Sequence, residues 1–136
     1  GSTVVKLFYG PKKYVVVKSK KEFDTLKAIE KQLASYLRGN PLNEASMYSH
    51  LFVYVKKHPD LKFKVKSELV SDSGYELLKK EQELLDEGRR KRDMLNNNID
   101  AYVPAWKEES QMYSWIPKND VINFMKWKKA RKKTKA

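Results

Sequence analysis

The N-terminal third of the chain changes from β-type to helix-type spacing of its apolar residues. β-Branched and aromatic residues fill 4–9 and 14–18, and Gly10-Pro11-Lys12-Lys13 separates these runs, which predicts a β-hairpin. A capping box at 19–22 then opens a predicted helix, which ends at Gly39. The apolar residues on the inner side of this helix are Phe23, Leu26, Ile29, Leu33 and Leu37.

A second helix and a third strand follow in the pattern. The helix is predicted over about 43–57, and Pro59 stops it. Its apolar positions are Met47, Leu51, Tyr54 and Val55. Leu61, Phe63 and Val65 then alternate with lysines, which predicts a half-buried strand with a cationic outer face. The lysines of that face are Lys62, Lys64 and Lys66.

The next predicted helix carries a carboxylate on its apolar side. A capping box at 73–76 opens it, and Leu77, Leu78, Leu84 and Leu85 form its apolar stripe. Glu81 lies within that stripe, four residues after Leu77 and four before Leu85. Because a buried carboxylate without a partner costs several kcal/mol, Glu81 is expected to contact a metal ion, Tyr14 or a lysine, or to reach water at the boundary.

The remaining chain is irregular until a last helix. Residues 88–106 combine a basic run with Asn96-Asn97-Asn98 and then Pro104, and a terminal helix is predicted from about Asn119. Val121, Phe124 and Met125 are its predicted packing residues. The element order β-β-α-α-β-α predicts an α+β fold, in which helices flank a small three-stranded mixed or antiparallel sheet. We expect a core over 3–104, and a Trp/Tyr-rich segment with a basic C-terminal helix over 105–136, packed on the core or extending from it.

The amino-acid composition limits which partners the chain can bind and which chemical groups it can use. The 136 residues include 29 basic and 17 acidic side chains, a formal net charge of +12, and no cysteine. The lack of cysteine excludes disulfides, thiolate metal sites and cysteine nucleophiles, and it fits a reducing compartment such as the cytoplasm. No membrane-spanning run, Ser-His-Asp arrangement, Gly-rich phosphate loop or zinc pattern occurs in the sequence.

The positive charge indicates a polyanionic partner, and nucleic acid is the first candidate, ahead of anionic membranes or protein surfaces. Seven basic residues and no acid lie in 126–136, and without them the chain still carries a net charge of +5. Three basic clusters are candidates to follow a phosphate backbone. They are the strand lysines Lys62, Lys64 and Lys66, the run containing Arg89, Arg90 and Arg92, and the C-terminal Lys128, Lys129, Arg131 and Lys132.

The element order and several motifs resemble the GIY-YIG nuclease superfamily over roughly 3–104. The matching segments are Lys12-Lys13-Tyr14-Val15-Val16-Val17-Lys18-Ser19, the run 48–55, Phe63-Lys64-Val65, Leu77-Leu78-Lys79-Lys80-Glu81-Gln82 and Met94-Leu95-Asn96-Asn97-Asn98. The resemblance implies a phage or mobile-element protein, located in the host cytoplasm or the virion. It implies that Tyr14 is a catalytic residue and that Glu81 is the ligand of one Mg²⁺ or Mn²⁺ ion.

Three positions depart from the motifs of that family. The first-motif tyrosine falls on Thr3 or Val4, the glycine of the second motif is Val16, and no arginine occurs over 27–31. Without the arginine, a phosphoryl transition state loses an electrostatic donor worth several kcal/mol. The sequence therefore favours a nucleic-acid-binding domain, for DNA rather than RNA, with little or no catalysis and no required cofactor.

Two alternatives remain open at this point. One is an active, divalent-metal-dependent DNA endonuclease that uses Tyr14 and Glu81. The other is a phage structural or assembly protein, in which the aromatic C-terminal third docks onto a protein partner. The aromatic residues of that third are Tyr102, Trp106, Tyr113, Trp115 and Trp127.

Overall fold

Three antiparallel strands form the sheet at the centre of the molecule. The computed structural model describes residues 2–19, 24–41, 47–103, 112–113 and 116–134. Strands β1 (Ser2–Tyr9) and β2 (Lys13–Ser19) form the predicted hairpin, with Gly10 at positive φ in its turn. Strand β3 (Phe63–Ser71) pairs with the other side of β1, so the strand order is β2-β1-β3. The predicted α+β class is confirmed.

The two faces of the sheet bury different sets of side chains because successive residues of a strand point to opposite sides. Helices α1 (Asp24–Leu37) and α2 (Ser49–Lys57) cover one face. The buried side chains there include Val5, Leu7, Val15, Val17, Ile29, Leu33, Leu51 and Phe52. Helix α3 (Gly74–Arg89) covers part of the other face and packs on Val4, Tyr14 and Val16.

Helix α4 (Lys118–Thr134) packs against α3 and runs parallel to it. At their N-terminal ends, the Gly74 backbone N–H donates to the Asp120 carboxylate over 3.0 Å. At their C-terminal ends, Asp86 of α3 pairs with Arg131 of α4. A two-stranded ribbon, β4 (Met112–Tyr113) with β5 (Ile116–Pro117), precedes α4. Val121 and Phe124 are buried in the same core as Leu77 and Leu78, so α4 shares a core with the sheet.

Several sequence predictions are corrected by the structure. Met47 and Tyr48 form a turn, so α2 begins only at Ser49, and the predicted start of that helix over 43–46 lies outside the described residues. Strand β3 continues to Ser71, beyond the predicted alternation. Leu37 and Met125 are 50% and 49% exposed, since each lies on the outer side of its helix. Most of the cap predicted at 19–22 also lies outside the described residues.

Helix α3 begins directly after Ser73, the predicted capping residue. The Ser73 hydroxyl accepts a hydrogen bond from the Glu76 backbone N–H over 3.2 Å. At its far end, Gly88 lies so close to Met94 that a Cβ on Gly88 would collide with the methionine side chain. Helix α3 is thus fixed against the chain at both ends. Within the described residues, no helix is long and apolar enough to cross a membrane.

Candidate functional site

Glu81 is buried as predicted, and its partner is Lys18 of β2. The Lys18 Nζ lies 3.5 Å from Glu81 Oε1, and the two side chains are 5% and 7% exposed. Lys18 Nζ also donates a 2.9 Å hydrogen bond to the Tyr102 carbonyl oxygen. The Tyr102 backbone N–H in turn bonds the Glu81 carboxylate. A strand, a helix and the irregular segment after α3 therefore converge on one charge pair.

Burial dominates the electrostatics of this pair. It raises the pKa of Glu81, an effect that Lys18 and the Tyr102 N–H only partly offset. It lowers the pKa of Lys18, against the opposing attraction of Glu81. Burial, with the nearby Glu81 charge, also raises the pKa of the Tyr48 hydroxyl to about 12. Each shift has the sign expected when the charged form of a group loses hydration on burial.

The space beside Glu81 is small, and a lysine ammonium lies in it together with several oxygen atoms. The cavity measures about 90 Å³. Its lining includes Lys18, Tyr48, Glu81, Asn96, Asn98, Asp100 and Tyr102. Among the residues that the structure describes, no three His, Cys, Asp or Glu side chains come together to hold a metal. The Lys18 ammonium already lies beside the carboxylate, and a second cation there would meet direct repulsion.

Tyr14 lies on the same strand as Lys18 but away from Glu81. Lys18 is four residue steps beyond Tyr14, which is about 13 Å along a strand. Phe8 contacts the Tyr14 ring at a centroid distance of 5.4 Å, and Lys6 Nζ lies 5.1 Å from the ring centroid. Burial raises the pKa of Tyr14, and the charges of Glu87 and Asp93 raise it further. The structure therefore does not bring Tyr14 and Glu81, the two predicted catalytic residues, into one polar site.

The segment after α3 positions the Glu81 cavity and closes the outer edge of β2. The Val16 backbone N–H donates to Asn96 Oδ1 over 2.8 Å, and Asn96 Nδ2 donates to the Val16 carbonyl over 3.0 Å. This side chain thereby replaces one residue of a neighbouring strand. Gln82 Oε1 accepts from the Ala101 N–H at 2.9 Å, and its Nε2 donates to the Ile99 carbonyl at 3.2 Å. Sequence reasoning missed these partners because each bond joins residues far apart in the chain.

The predicted lysine face of β3 is present at the surface. Lys62, Lys64 and Lys66 are exposed. Lys66 pairs in register with Lys6 of β1, which adds a fourth cation to that face. Glu68 lies 4.0 Å from Lys6 Nζ and 3.9 Å from Lys66 Nζ, so one carboxylate serves both lysines. The face keeps an excess of positive charge.

The other two predicted clusters meet at the C-terminal ends of α3 and α4. Because the helices are parallel, Arg89 and Arg131 both reach Asp86, the Arg89 contact measuring 3.8 Å. Arg90 and Lys91 line one cavity with Asp86 and Arg131, and the exposed Arg92 follows them in the chain. The exposed Lys129 and Lys132 lie with Lys128 on another face of α4. Lys128 instead turns toward Asp100, at 3.4 Å. Two clusters about forty residues apart in the sequence thus meet through Asp86, Arg89 and Arg131.

The hairpin turn connects that surface to β3. Lys13 Nζ donates to the Arg92 carbonyl oxygen over 3.1 Å and lies 3.4 Å from Asp93 Oδ1. The Gly10 N–H donates to the Lys62 carbonyl oxygen over 3.0 Å, so the start of β3 lies at the same end. We call this surface the basic end. It comprises Lys12, Lys13, Lys62, Arg89, Arg90, Lys91, Arg92, Lys129, Arg131 and Lys132.

The predicted aromatic docking region is only partly described. Trp106 and Trp115 lie outside the described residues, and so does the side chain of Tyr113. Trp127 packs on Phe124, with Lys79 and Arg131 over its ring. Trp127 therefore belongs to the contact between α3 and α4.

Neither a protein-family model, nor a curated protein, nor a solved structure matches this chain. The resemblance to the GIY-YIG superfamily therefore stays a hypothesis. The function has to be argued from the site itself.

Proposed function

We propose that this chain is a nucleic-acid-binding domain that holds the phosphate backbone on its basic end. The observation that carries the proposal is that basic residues of the hairpin turn and of the C-terminal ends of α3 and α4, together with Lys62 just before β3, meet at one end of the molecule. Sequence separation gives no reason for them to meet, and a surface with an excess of positive charge attracts a polyanion.

Among the described residues, four acids lie beside the basic end, and its ten basic residues outnumber them; the acids are Glu83, Asp86, Glu87 and Asp93. Asp86 is bound by Arg89 and Arg131, and Asp93 is bound by Lys13. The exposed Arg90, Arg92 and Lys129 remain at the surface, where each can neutralise a phosphate and release its counterion. The expected binding is therefore electrostatic and has little dependence on base sequence, and DNA is the favoured class.

The geometry around Glu81 and Tyr14 favours binding without catalysis. Glu81 is paired with Lys18 in a cavity of about 90 Å³, which leaves little room for a phosphodiester. The pKa of Tyr14 is raised, whereas a tyrosine that attacks phosphorus benefits from a lowered pKa. A binding domain on a GIY-YIG-like scaffold, with its catalytic groups lost or reused, agrees with both features.

The direct test compares two variants that remove the same charge from different surfaces. Arg90→Gln/Arg92→Gln/Lys129→Gln/Lys132→Gln neutralises the basic end. Lys27→Gln/Lys31→Gln/Arg38→Gln/Lys56→Gln neutralises exposed residues around α1 and α2, which cover the other face of the sheet. Fluorescence anisotropy with a labelled DNA duplex at low salt measures affinity. We expect a loss of at least about tenfold for the first variant and much less for the second.

Equal losses in the two variants would show that net charge alone drives association and would contradict the basic end as the site. The same preparations, incubated with supercoiled plasmid and MgCl₂ or MnCl₂, are expected to leave the plasmid intact. Nicking by the wild type that is abolished by Glu81→Gln would overturn the non-catalytic part of the proposal.

A further inference from the structure

The position of the Lys18 ammonium matches that of a bound cation. Two oxygen atoms from separate elements face Nζ: the Glu81 carboxylate at 3.5 Å and the Tyr102 carbonyl at 2.9 Å. Carboxylate and carbonyl oxygens are the usual ligands of Ca²⁺ and Mg²⁺. Asn98 and Asp100 line the same cavity and would add further oxygens.

The ammonium is held in that position by the chain itself. Lys18 belongs to β2, where it pairs in register with Val4 of the central strand. Its side chain is 5% exposed, so it has no route to solvent without movement of β2 or of the segment around Tyr102. A diffusible ion exchanges with the solvent, whereas a strand-borne ammonium does not.

We infer that Lys18 supplies a built-in cation to the Glu81 site, so that the wild-type chain binds no divalent metal at Glu81. Shortening Lys18 should convert the cavity into a cation site formed by Glu81, the Tyr102 carbonyl and their polar neighbours. This inference does not rest on nucleic-acid binding, since it concerns only the charge balance of the cavity.

In the alternative arrangement, the Glu81 carboxylate would bind a metal ion while it also contacts Lys18. The cavity measures about 90 Å³ and has room for a few waters, so its size alone does not decide between the two arrangements. Repulsion disfavours a metal ion beside the lysine, because two cations within a few ångströms of each other in a buried site repel each other strongly.

The test uses thermal unfolding of three variants with added cations. Lys18→Ala removes the charge and opens space, Lys18→Met removes the charge but fills the space, and Lys18→Ala/Glu81→Gln removes both charges. CaCl₂, MnCl₂ and methylammonium chloride are the probes, with NaCl at matched ionic strength as the control. We expect Lys18→Ala to be less stable than the wild type and to regain about 4 °C or more in Tm with a probe cation. The other two variants should respond no more than the wild type does.

A second measurement keeps the inference testable if Lys18→Ala does not fold. Amide NMR signals of the wild type are followed during titration with MnCl₂, which broadens signals near its binding site. Signals of Leu85 and Tyr102, around the cavity, should broaden no more than those of exposed positions elsewhere. Selective broadening there that disappears in Glu81→Gln would overturn the inference. A folded Lys18→Ala that fails to respond to every probe cation would also overturn it.

Discussion

At the residue scale, the Glu81–Lys18 pair links three elements at an electrostatic cost. Removing two charges from water is expensive, and their attraction offsets that expense only when the geometry is good. Here the ammonium contacts both Glu81 and the Tyr102 carbonyl, and a backbone N–H supports the carboxylate. We interpret the pair as a device that fixes β2, α3 and the segment near Tyr102 in one arrangement.

The sequence predicted one half of this pair. Glu81 stood out because a carboxylate interrupts a leucine stripe with helical period. Lys18 did not stand out, since a lysine near the end of a strand is normally solvated. The pairing depends on how α3 crosses the sheet, and no pattern within either element contains that information.

Burial of the pair predicts a pH dependence. The folded state raises the pKa of Glu81 above its ordinary value of 4.5, so between those two values the folded protein binds a proton that the unfolded chain does not. The Glu81 contribution to stability is therefore present below pH 4.5 and is lost as pH rises through the raised value. We expect the free energy of unfolding of the wild type, relative to Glu81→Gln, to fall as pH increases above 4.5.

Urea unfolding of both proteins across this pH range measures that difference. Asp93→Asn, which removes an exposed carboxylate near Lys13, is the matched control and should show no such trend. A difference between wild type and Glu81→Gln that stays constant or grows with pH would contradict the account of the buried pair.

At the element scale, the segment 93–102 forms hydrogen bonds that a neighbouring strand and a helix cap would otherwise provide. It covers the edge of β2 through Asn96, and Asn97 acts at the start of α2. The His50 backbone N–H donates to Asn97 Oδ1 over 3.1 Å, while the Tyr48 side chain provides no cap at that helix start. Asn97 Nδ2 also bonds the Ser49 hydroxyl.

Prediction from sequence succeeded for most elements and failed for this segment. The hairpin, the third strand and the helix behind Ser73 have strong local periodicity, and the structure contains all three. Asn96-Asn97-Asn98 predicted only an irregular stretch, because its hydrogen bonds reach residues 47 and 80 positions earlier in the chain. The late start of α2 has the same cause, since its cap comes from a distant element.

Removing the distant cap should therefore weaken α2. We expect Asn97→Ala to lower the free energy of unfolding by about 1 kcal/mol, as loss of a helix cap usually does. Asn40→Ala serves as the control, since Asn40 is exposed and its side chain donates a local hydrogen bond to the Ser35 hydroxyl. Urea unfolding monitored by circular dichroism gives both values. If the two variants lose equal stability, Asn97 does not cap α2.

At the scale of the whole molecule, the parallel packing of α3 and α4 creates the basic end. The sequence identified the three basic clusters singly, by composition. These clusters meet through the ion pairs of Asp86 with Arg89 and Arg131, and through the hydrogen bond from Lys13 to the Arg92 carbonyl. No local sequence pattern predicts either contact. The lysines of α1 and α2, which composition alone cannot distinguish from the rest, lie on the other side of the sheet.

The salt dependence of duplex binding tests the central claim most directly. Each phosphate that a basic side chain neutralises contributes about −0.9 to the slope of log affinity against log salt concentration. We expect the wild type to give a linear plot with a steep negative slope. Neutralising Arg90, Arg92, Lys129 and Lys132 should reduce its magnitude by about 3, while the variant with four charges removed around α1 and α2 should keep the wild-type slope. An affinity that is indifferent to salt, or equal slopes in all three proteins, would contradict nucleic-acid binding at the basic end.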